Sequence, residues 1–402
     1  MKGGWISCFL IGQGRGELAM TSSIFVAGDV VNYHQKDGKV IDEGLAEIVR
    51  GADYSVCNFE APISGYGSPI LKSGPHLSQL PETVDGLKEQ GIDLLLLANN
   101  HIMDFGYKAL EATIDRARLF NIDVIGAGRD FESAYKPIVK EVKGLKVGMI
   151  NACEAQFGVI DYFRARSVPG YAWINHHEID QTVMHLKKTC DYVIVFSHAG
   201  LENYAIPQKE WCLRYKALCD AGADVVVGSH PHVPQGYERY KNSVIFYSLG
   251  NFYFDSGSYL KKKDSTYSVL LKLSHQKSDI EFNLIYNCKD GGKTRLAAVD
   301  EKIDIEGLNY LLEEGVYEAA HDEMNTKAYG RIIRDWEFSF SQDFGSSHFK
   351  RNFKNLIKRI FLRKRRYVDK DVLKLHLLRN EAYYFAARHS LEIKYLEKHE
   401  NE

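Results

Sequence analysis

The chain has 402 residues, of which 45% are hydrophobic and 26% are charged, and its formal net charge at pH 7 is −2. This composition is typical of a globular protein with room for one large domain and an appendage, or for two domains. The near-neutral charge excludes a global electrostatic attraction to nucleic acids or anionic membranes.

From residue 21 onward, short apolar runs alternate with helical patterns. Strands are predicted at IFVAGD, YSVCNFE, IDLLLLANNH, IDVIGAG, LKVGMINA, DYVIVFSHAG, ADVVVGSH and SVIFYSLGNF, with helices such as YKALEATIDRARLF between them. Nearly continuous Val, Ile and Leu runs are typical of strands buried on both faces, with helices covering the sheet. Alternating segments between residues 265 and 287 predict antiparallel strands that finish a sheet. We therefore predict an α/β fold over residues 21–300, preceded by an N-terminal extension, residues 1–20, that we expect to be disordered.

Five predicted strands end in polar side chains that are able to bind metal or substrate. They are Asp29; Asn58 and Glu60; Asn99, Asn100 and His101, with Asp104 just beyond; His198 and Glu202; and His230 and His232. Ligands gather at the carboxyl ends of strands in α/β sheets, so these side chains could converge on one place. Each has a structural alternative when taken alone, such as a turn cap for Asp29 or a packed core histidine for His198. Five polar strand ends together favour a shared site.

The segment GSHPHVPQG, residues 228–236, holds two imidazoles in a loop that Pro231 and Pro234 stiffen. Imidazoles with carboxylate and carboxamide oxygens suit Mn, Fe or Zn, and suit Ca or Mg less well. Without thiolate ligands, the site should be catalytic, with open positions. Two ions about 3.5–4 Å apart, bridged by a carboxylate, would stabilise the attacking and leaving oxygens of phosphoryl transfer. The sequence thus predicts a divalent metal site with one or two ions.

The C-terminal region, residues 301–402, is predicted to be helical and charged. Its segment FKRNFKNLIKRIFLRKRR, residues 349–366, carries nine Lys or Arg and no acid, with an apolar stripe at helical spacing. The stripe could pack on the rest of the chain, or the segment could contact a membrane surface or a biosynthetic complex. Nothing in it supports nucleic-acid binding, because no stacking platform accompanies the charge. The last stretch, residues 372–399, is one long helical pattern.

The cysteines and the amino-terminal residues indicate the cellular compartment of the protein. The seven cysteines are scattered and form no Cys-x-x-Cys pair, so they predict neither a disulfide framework nor a thiolate zinc site. The apolar run at residues 5–11 is too short to span a bilayer. We expect a cytoplasmic protein, with the basic segment as the alternative route to peripheral membrane contact.

Six ordered motifs between Ile24 and Asp255 resemble the CapA family of capsule and poly-γ-glutamate synthesis proteins, which is similar to the calcineurin-like metallophosphoesterases. The motifs are GD, NFE, LLANNHIMDFG, HAGLENY, GADVVVGSHPHVPQ and YSLGNF. The resemblance implies a four-layer α/β/β/α sandwich with a metal site at its loop edge, and the helical pattern of residues 301–402 adds a C-terminal helical appendage. The metal ligands that it implies are Asp29, Glu60, Asn100, His198, His230 and His232.

The resemblance also implies roles in catalysis. His101 would be the catalytic histidine that donates to the leaving group, and Asp104 would be the carboxylate that orients it. Asn58, Glu202 and Asn251 are further candidates for substrate contact.

The chain departs from the phosphoesterase pattern in its first motif. Asp29 is followed by Val30 and Val31, where Asp-x-His is usual, and Glu60 stands where an Asp usually bridges. Two functions therefore stay open. One is a metal-dependent hydrolase of a phosphoester or related linkage in capsule or exopolymer biosynthesis, acting on a phosphorylated or polymer substrate. The other is a non-hydrolytic component of a capsule or poly-γ-glutamate synthase complex. The basic C-terminal segment would also permit a third, weaker possibility, a nuclease, but the sequence contains no element that would read bases.

Overall fold

The computed structural model describes residues 21–260, 262–276, 280–340 and 369–399. The predicted N-terminal extension and the basic segment 349–366 lie outside the described residues, so both stay predictions.

Seventeen strands lie in the described part of the chain. They are β1 (Thr21–Val31), β2 (Tyr54–Phe59), β3 (Leu94–Leu96), β4 (Asp123–Ile125), β5 (Ala127–Gly128), β6 (Ile138–Val142), β7 (Leu145–Cys153), β8 (Val159–Ile160), β9 (Gly170–Ala172), β10 (Tyr192–His198), β11 (Val225–Ser229), β12 (Tyr237–Tyr240), β13 (Ser243–Phe246), β14 (Asn251–Phe254), β15 (Asp264–Ser274), β16 (Glu281–Lys289) and β17 (Thr294–Leu296).

Ten α-helices connect or follow these strands in the described ranges. They are α1 (Glu43–Gly51), α2 (Glu82–Glu89), α3 (Tyr107–Leu119), α4 (Phe131–Ala134), α5 (His177–Thr189), α6 (Lys209–Ala221), α7 (Ile305–Tyr310), α8 (Val316–Phe340), α9 (Lys370–Arg379) and α10 (Glu381–His399). None of these helices is long and apolar enough to cross a bilayer.

Two large sheets and one small sheet contain the strands. The first sheet has the order β17-β16-β15-β1-β2-β3-β4, with β14 also paired to β1, and the second has the order β12-β13-β11-β10-β7-β6. The central strands pair in parallel, as their uninterrupted apolar runs predict. The predicted antiparallel pair near residues 265–287 is confirmed by β15 and β16. A third sheet holds β5, β9 and β8.

The two large sheets pack face to face. One hydrophobic cluster contains Val56 and Leu94 from the first sheet together with Ile194 and Phe246 from the second. Such interdigitation of apolar side chains between two sheets is the usual way in which a sandwich buries its inner faces.

Helices cover both outer faces of the sandwich. A second cluster joins the first sheet to Val49 of α1, Leu87 of α2 and Leu110 of α3. A third cluster joins the second sheet to Val183 of α5 and Leu218 of α6. The layers are therefore α/β/β/α, and the predicted four-layer sandwich is confirmed.

Three predicted elements are divided in the structure. The run SVIFYSLGNF forms β13 in the second sheet and the start of β14, which pairs with β1 in the first sheet, and Gly250 (φ +75°) lies between them. The run IDVIGAG forms β4 in the first sheet and β5 in the small sheet, because Gly126 (φ +97°) turns the chain between them. The long helical pattern at residues 372–399 is broken into α9 and α10 at Asn380, whose side chain accepts a hydrogen bond from the Tyr383 amide at 2.8 Å. That side chain caps the second helix and so gives it a new start.

The C-terminal helices pack on the sandwich. Leu201, in the loop after β10, shares a buried cluster with Met324 and Ala328 of α8 and with Ala382 and Ala386 of α10. The division into residues 21–300 and residues 301–402 stays an interpretation, since this cluster crosses it.

Candidate metal centre

The carboxyl ends of strands from both large sheets meet at one edge of the sandwich. All six predicted metal ligands lie there and all are buried: Asp29 in β1, Glu60 just after β2, Asn100 after β3, His198 at the end of β10, and His230 and His232 just after β11.

The backbone at this edge has unusual local geometry. At Gly28, an added Cβ would lie 1.9 Å from the Gly250 carbonyl oxygen, so only glycine lets β1 approach this loop next to Asp29. His230 and His232 have φ angles of +95° and +60°. Positive φ is strained for residues other than glycine, and such strain is found mainly where a site requires it. The stiff proline loop thus holds both imidazoles in a costly conformation.

The first group of ligand atoms surrounds His198. The Nε2 atom of His198 lies 3.0 Å from the Nδ1 atom of His230 and 3.0 Å from the Oδ1 atom of Asn100. The same Nε2 atom lies 3.6 Å from the Oε1 atom of Glu60. Glu60, His198 and His230 each offer a ligand atom within 4.8 Å of the others.

The second group contains Asp29, Glu60 and His232, with ligand atoms also within 4.8 Å of one another. The Nδ1 atom of His232 lies 3.5 Å from the Oδ2 atom of Asp29, and its Nε2 atom lies 3.7 Å from the Oε1 atom of Glu60. Glu60 belongs to both groups, so its carboxylate stands between two sets of ligands.

Glu60 shows that the residues fit a divalent cation. Both of its carboxylate oxygens are buried, and no hydrogen-bond partner is found for either among the described residues. Burial, and then the neighbouring Asp29 carboxylate, raise the pKa of Glu60 well above its usual value. A buried, charged carboxylate without hydrogen-bond donors lowers the stability of the fold by several kcal/mol unless a cation lies next to it. A bound metal would supply that charge.

The imidazoles are also suited to metal binding. Burial lowers the pKa of His198 and His230 well below the usual value, so both are neutral, which is the form that binds metal. For His232, burial opposes the charged form, but the Glu60 and Asp29 carboxylates outweigh burial and raise its pKa to about 10. A cation bound at Glu60 would balance the charge of the two carboxylates, which otherwise favours the protonated form of His232.

Two of the predicted substrate residues contact the ligands. The Nδ2 atom of Asn58 donates to the Oδ1 atom of Asp29 at 2.8 Å, and Asn251 places its Oδ1 atom 3.0 Å from the Nδ1 atom of His232. Both side chains are buried and fix the orientation of a ligand. The third, Glu202, is half-buried in the loop after β10, and its charge contributes to the high pKa of His232. Contact of these three with substrate stays a prediction.

His101 and Asp104 form a buried pair next to the ligands. The Nδ1 atom of His101 lies 2.7 Å from the Oδ2 atom of Asp104, and that oxygen also accepts the Leu77 amide at 2.7 Å. The ammonium group of Lys72 bonds to the other Asp104 oxygen and lies 3.3 Å from the Nδ1 atom of His101. Burial, and then the Lys72 charge, lower the pKa of His101.

Sequence reasoning missed Lys72 and Glu154. Lys72 lies in the loop between β2 and α2, which has no recognisable motif, yet only 4% of its side chain is exposed. Glu154 directly follows β7, and its Oε1 atom lies 3.7 Å from the Nε2 atom of His230. Glu154 stands at the carboxyl end of a strand, which is the signal that identified the predicted metal ligands, so the same signal could have identified Glu154.

A separate group contains Glu210, His321 and His389, where α6 meets the C-terminal helices. The Lys209 amide donates to the Nε2 atom of His321 at 3.2 Å, and His389 pairs with Glu210 at 2.8 Å. The amino end of a helix carries partial positive charge, which disfavours a cation. These contacts therefore act as a helix cap and as a contact between a histidine and a carboxylate.

Residues 23–256, more than half of the chain, match the family model described as bacterial capsule synthesis protein PGA_cap. The chain is 33% identical over 244 residues to the capsule biosynthesis protein CapA of Bacillus anthracis, with 59% of this chain and 58% of that protein covered. It is 33% identical over 234 residues to the PGA biosynthesis protein CapA of Bacillus subtilis, with 58% and 60% covered. The chain thus spans less than two thirds of the length of these relatives.

Solved structures with a similar arrangement include two phosphoesterases. One is a novel phosphatase from Mycoplasma pneumoniae, at 17% identity and a TM-score of 0.44, with 68% of this chain and 95% of that chain covered. The other is the calcineurin-like phosphoesterase YfkN from Bacillus subtilis, at 13% identity and a TM-score of 0.40, with 76% and 99% covered.

Proposed function

The chain belongs to the bacterial capsule synthesis protein family, as its ordered motifs predict, and from this premise we propose a metal-dependent hydrolase. Its substrate would be a phosphoester or related linkage in capsule or exopolymer biosynthesis, the process named in its relatives. The observation that carries the proposal is Glu60, a buried carboxylate without hydrogen-bond donors that two groups of ligands share.

Each group of residues has a part in the proposed reaction. Asp29, Glu60 and His232 would hold one ion, and Asn100, His198 and His230 would complete a second around the same Glu60. Divalent ions such as Mn, Fe or Zn supply a lowered water pKa and stabilise negative charge on substrate oxygens. His101, oriented by Asp104, is the residue that would transfer a proton to the leaving oxygen.

Two variants separate metal binding from proton transfer. We expect His230→Ala to lose both bound metal and hydrolysis of a generic phosphodiester with Mn²⁺ added. His101→Ala should keep its metal but lose about 10²–10⁴-fold in turnover, because it removes only the proton donor. Metal is measured by elemental mass spectrometry on protein without a histidine tag. His185→Ala, an exposed histidine on α5, is the matched control. Full retention of metal and turnover in His230→Ala would contradict the proposal.

A second candidate function is a non-hydrolytic component of a capsule or poly-γ-glutamate synthase complex. Val31 favours it: this side chain, where phosphoesterases usually carry a metal-binding histidine, is fully buried in an apolar cluster with Ala61, Leu77 and Phe254. That position offers no ligand. Wild-type protein that binds metal, hydrolyses no phosphoester and co-purifies with membrane or ligase components would support this candidate over the hydrolase.

A further inference from the structure

Glu154 is a fully buried carboxylate beside the metal ligands. Its backbone amide donates to the His198 carbonyl at 3.0 Å, so its position is tied to β10. The Nδ1 atom of His230 faces His198, whereas the Nε2 atom of His230 lies 3.7 Å from the Oε1 atom of Glu154. The ring therefore presents one nitrogen to the ligand group and the other to Glu154.

The Glu154 carboxylate is held in place from two other sides. The Nε2 atom of Gln156 donates to the Oε1 atom at 2.8 Å, and the Gly200 amide donates to the Oε2 atom at 3.2 Å. The hydroxyl of Tyr171 donates to the backbone carbonyl of Glu154 at 3.2 Å. These contacts fix the direction in which the carboxylate points.

The next residue along the chain is bound by a C-terminal helix. Glu381, the first residue of α10, accepts the Ala155 amide at 2.8 Å and the Nε1–H of Trp173 at 3.1 Å through its Oε2 atom. Its Oε1 atom accepts the Nδ2–H of Asn175 at 2.8 Å. The half-buried carboxylate of Glu381 thereby contacts both ends of the segment between β7 and α5, which begins at Glu154. Helix α10 lies outside the family-matched residues 23–256.

We propose that Glu154 orients His230 for metal binding, and that helix α10 keeps Glu154 in place through Glu381. Histidines that bind metal usually donate the other ring N–H to a carboxylate, which fixes the tautomer and the ring orientation. The C-terminal helices are then a support of the metal centre. The inference rests on the metal site of the proposed function but not on hydrolysis.

The test is a calorimetric titration of metal-free full-length protein with Mn²⁺. Loss of the carboxylate partner of a metal-binding histidine costs about 10–100-fold in affinity, and we expect Glu154→Gln to weaken Mn²⁺ binding by that factor. Glu381→Gln should weaken it by a smaller factor. Glu392→Gln, an exposed acid on the same helix that pairs with Arg388, is the matched control and should bind as the wild type does.

The double variant Glu154→Gln/Glu381→Gln sharpens the test. Because Glu381 acts through Glu154, we expect the double variant to bind Mn²⁺ no more weakly than Glu154→Gln alone. Fully additive losses would show that Glu381 acts by another route and would overturn the second half of the proposal. Thermal unfolding without metal shows whether each variant folds. If Glu154→Gln does not fold, Glu154→Asp, which keeps the carboxyl group but shortens its reach, takes its place with the same expected direction.

Wild-type affinity in a folded Glu154→Gln protein would overturn the proposal. Failure of the proposed function looks different: a wild type that binds Mn²⁺ without hydrolysing any phosphoester removes the hydrolase and leaves this inference standing. A wild type that binds no divalent metal removes both.

Discussion

Lys72 places a buried ammonium group against the His101–Asp104 pair. It contacts neither group of metal ligands in the described residues but bonds to Asp104 and lies close to His101. In the proposed hydrolysis, a fixed positive charge beside His101, the proposed proton donor, would stabilise negative charge that develops on the leaving group. If the chain is the proposed hydrolase, we expect Lys72 to affect turnover without affecting metal binding.

We expect Lys72→Met to lower phosphodiester turnover by about 10²-fold, the usual cost of removing one stabilising donor, with metal content unchanged. Turnover and elemental analysis on the same preparation check this. Lys39→Met, which removes a surface lysine paired with Glu89, is the matched control. Loss of metal in Lys72→Met, or turnover equal to that of the control, would show that Lys72 has a structural role only.

The ligand residues and Lys72 differ in how far sequence can identify them. Asp29 and His230 stand at strand ends, and the convergence of strand ends follows from the topology of α/β sheets. Lys72 reaches His101 because a loop folds back across 29 residues, and no local pattern encodes that path. For Asn58, a strand buried on both faces gives no alternation from which to infer which way its side chain points.

Helix α9 carries a histidine in an apolar setting. The His376 ring stacks on Phe157 with centroids 5.8 Å apart and meets Tyr383 edge to face at 5.7 Å. Its Nδ1 atom is buried, with no hydrogen-bond partner in the part of the chain that the structure describes. Burial, and then the charge of Lys72, lower the pKa of His376 to about 4.

Acid should therefore weaken the attachment of α9. Because the folded pKa lies below the unfolded value of about 6.5, the stability due to neutral His376 is complete above pH 6.5 and is lost as pH falls toward 4. We expect a loss of about 2 kcal/mol in unfolding free energy between pH 7 and pH 4.5 from this residue. Urea unfolding of the wild type and of His376→Phe at both pH values measures the contribution of His376 to this pH dependence, because Phe keeps the ring stacking but cannot be protonated. An equal pH dependence of the two proteins would contradict the assignment, and His185→Gln controls for an exposed histidine.

Sequence patterns predicted the types of most elements but not all of their boundaries. Continuous apolar runs between helical patterns identify strands such as β10 and β11, because a strand that is covered on both faces consists mainly of apolar residues. The break at Asn380 depends on a side-chain cap between two helical patterns that are individually consistent with one long helix. The division at Gly126 depends on the close packing of that turn, where an added Cβ would lie 2.2 Å from the Oδ1 atom of Asn151.

The sandwich and the C-terminal helices share buried contacts of two kinds. Leu201 packs in one apolar cluster with residues of α8 and α10. Gln208, buried before α6, donates through its Nε2 atom to the Ala382 carbonyl at 2.9 Å, and Glu381 binds the loop after β7. Breaking these contacts would leave apolar surface and polar groups exposed together, which opposes independent unfolding of the two parts.

We therefore expect calorimetry to show one unfolding transition for the whole chain, with equal calorimetric and van't Hoff enthalpies. Leu201→Ala should lower the midpoint of that transition without splitting it, at a cost of about 2–5 kcal/mol. Mn²⁺ at a hundred times its dissociation constant should stabilise the chain by about 2.7 kcal/mol in the same single transition, because the metal site and the C-terminal helices unfold together. Two resolved transitions, with metal shifting only one of them, would instead show that residues 21–300 and 301–402 are independent domains.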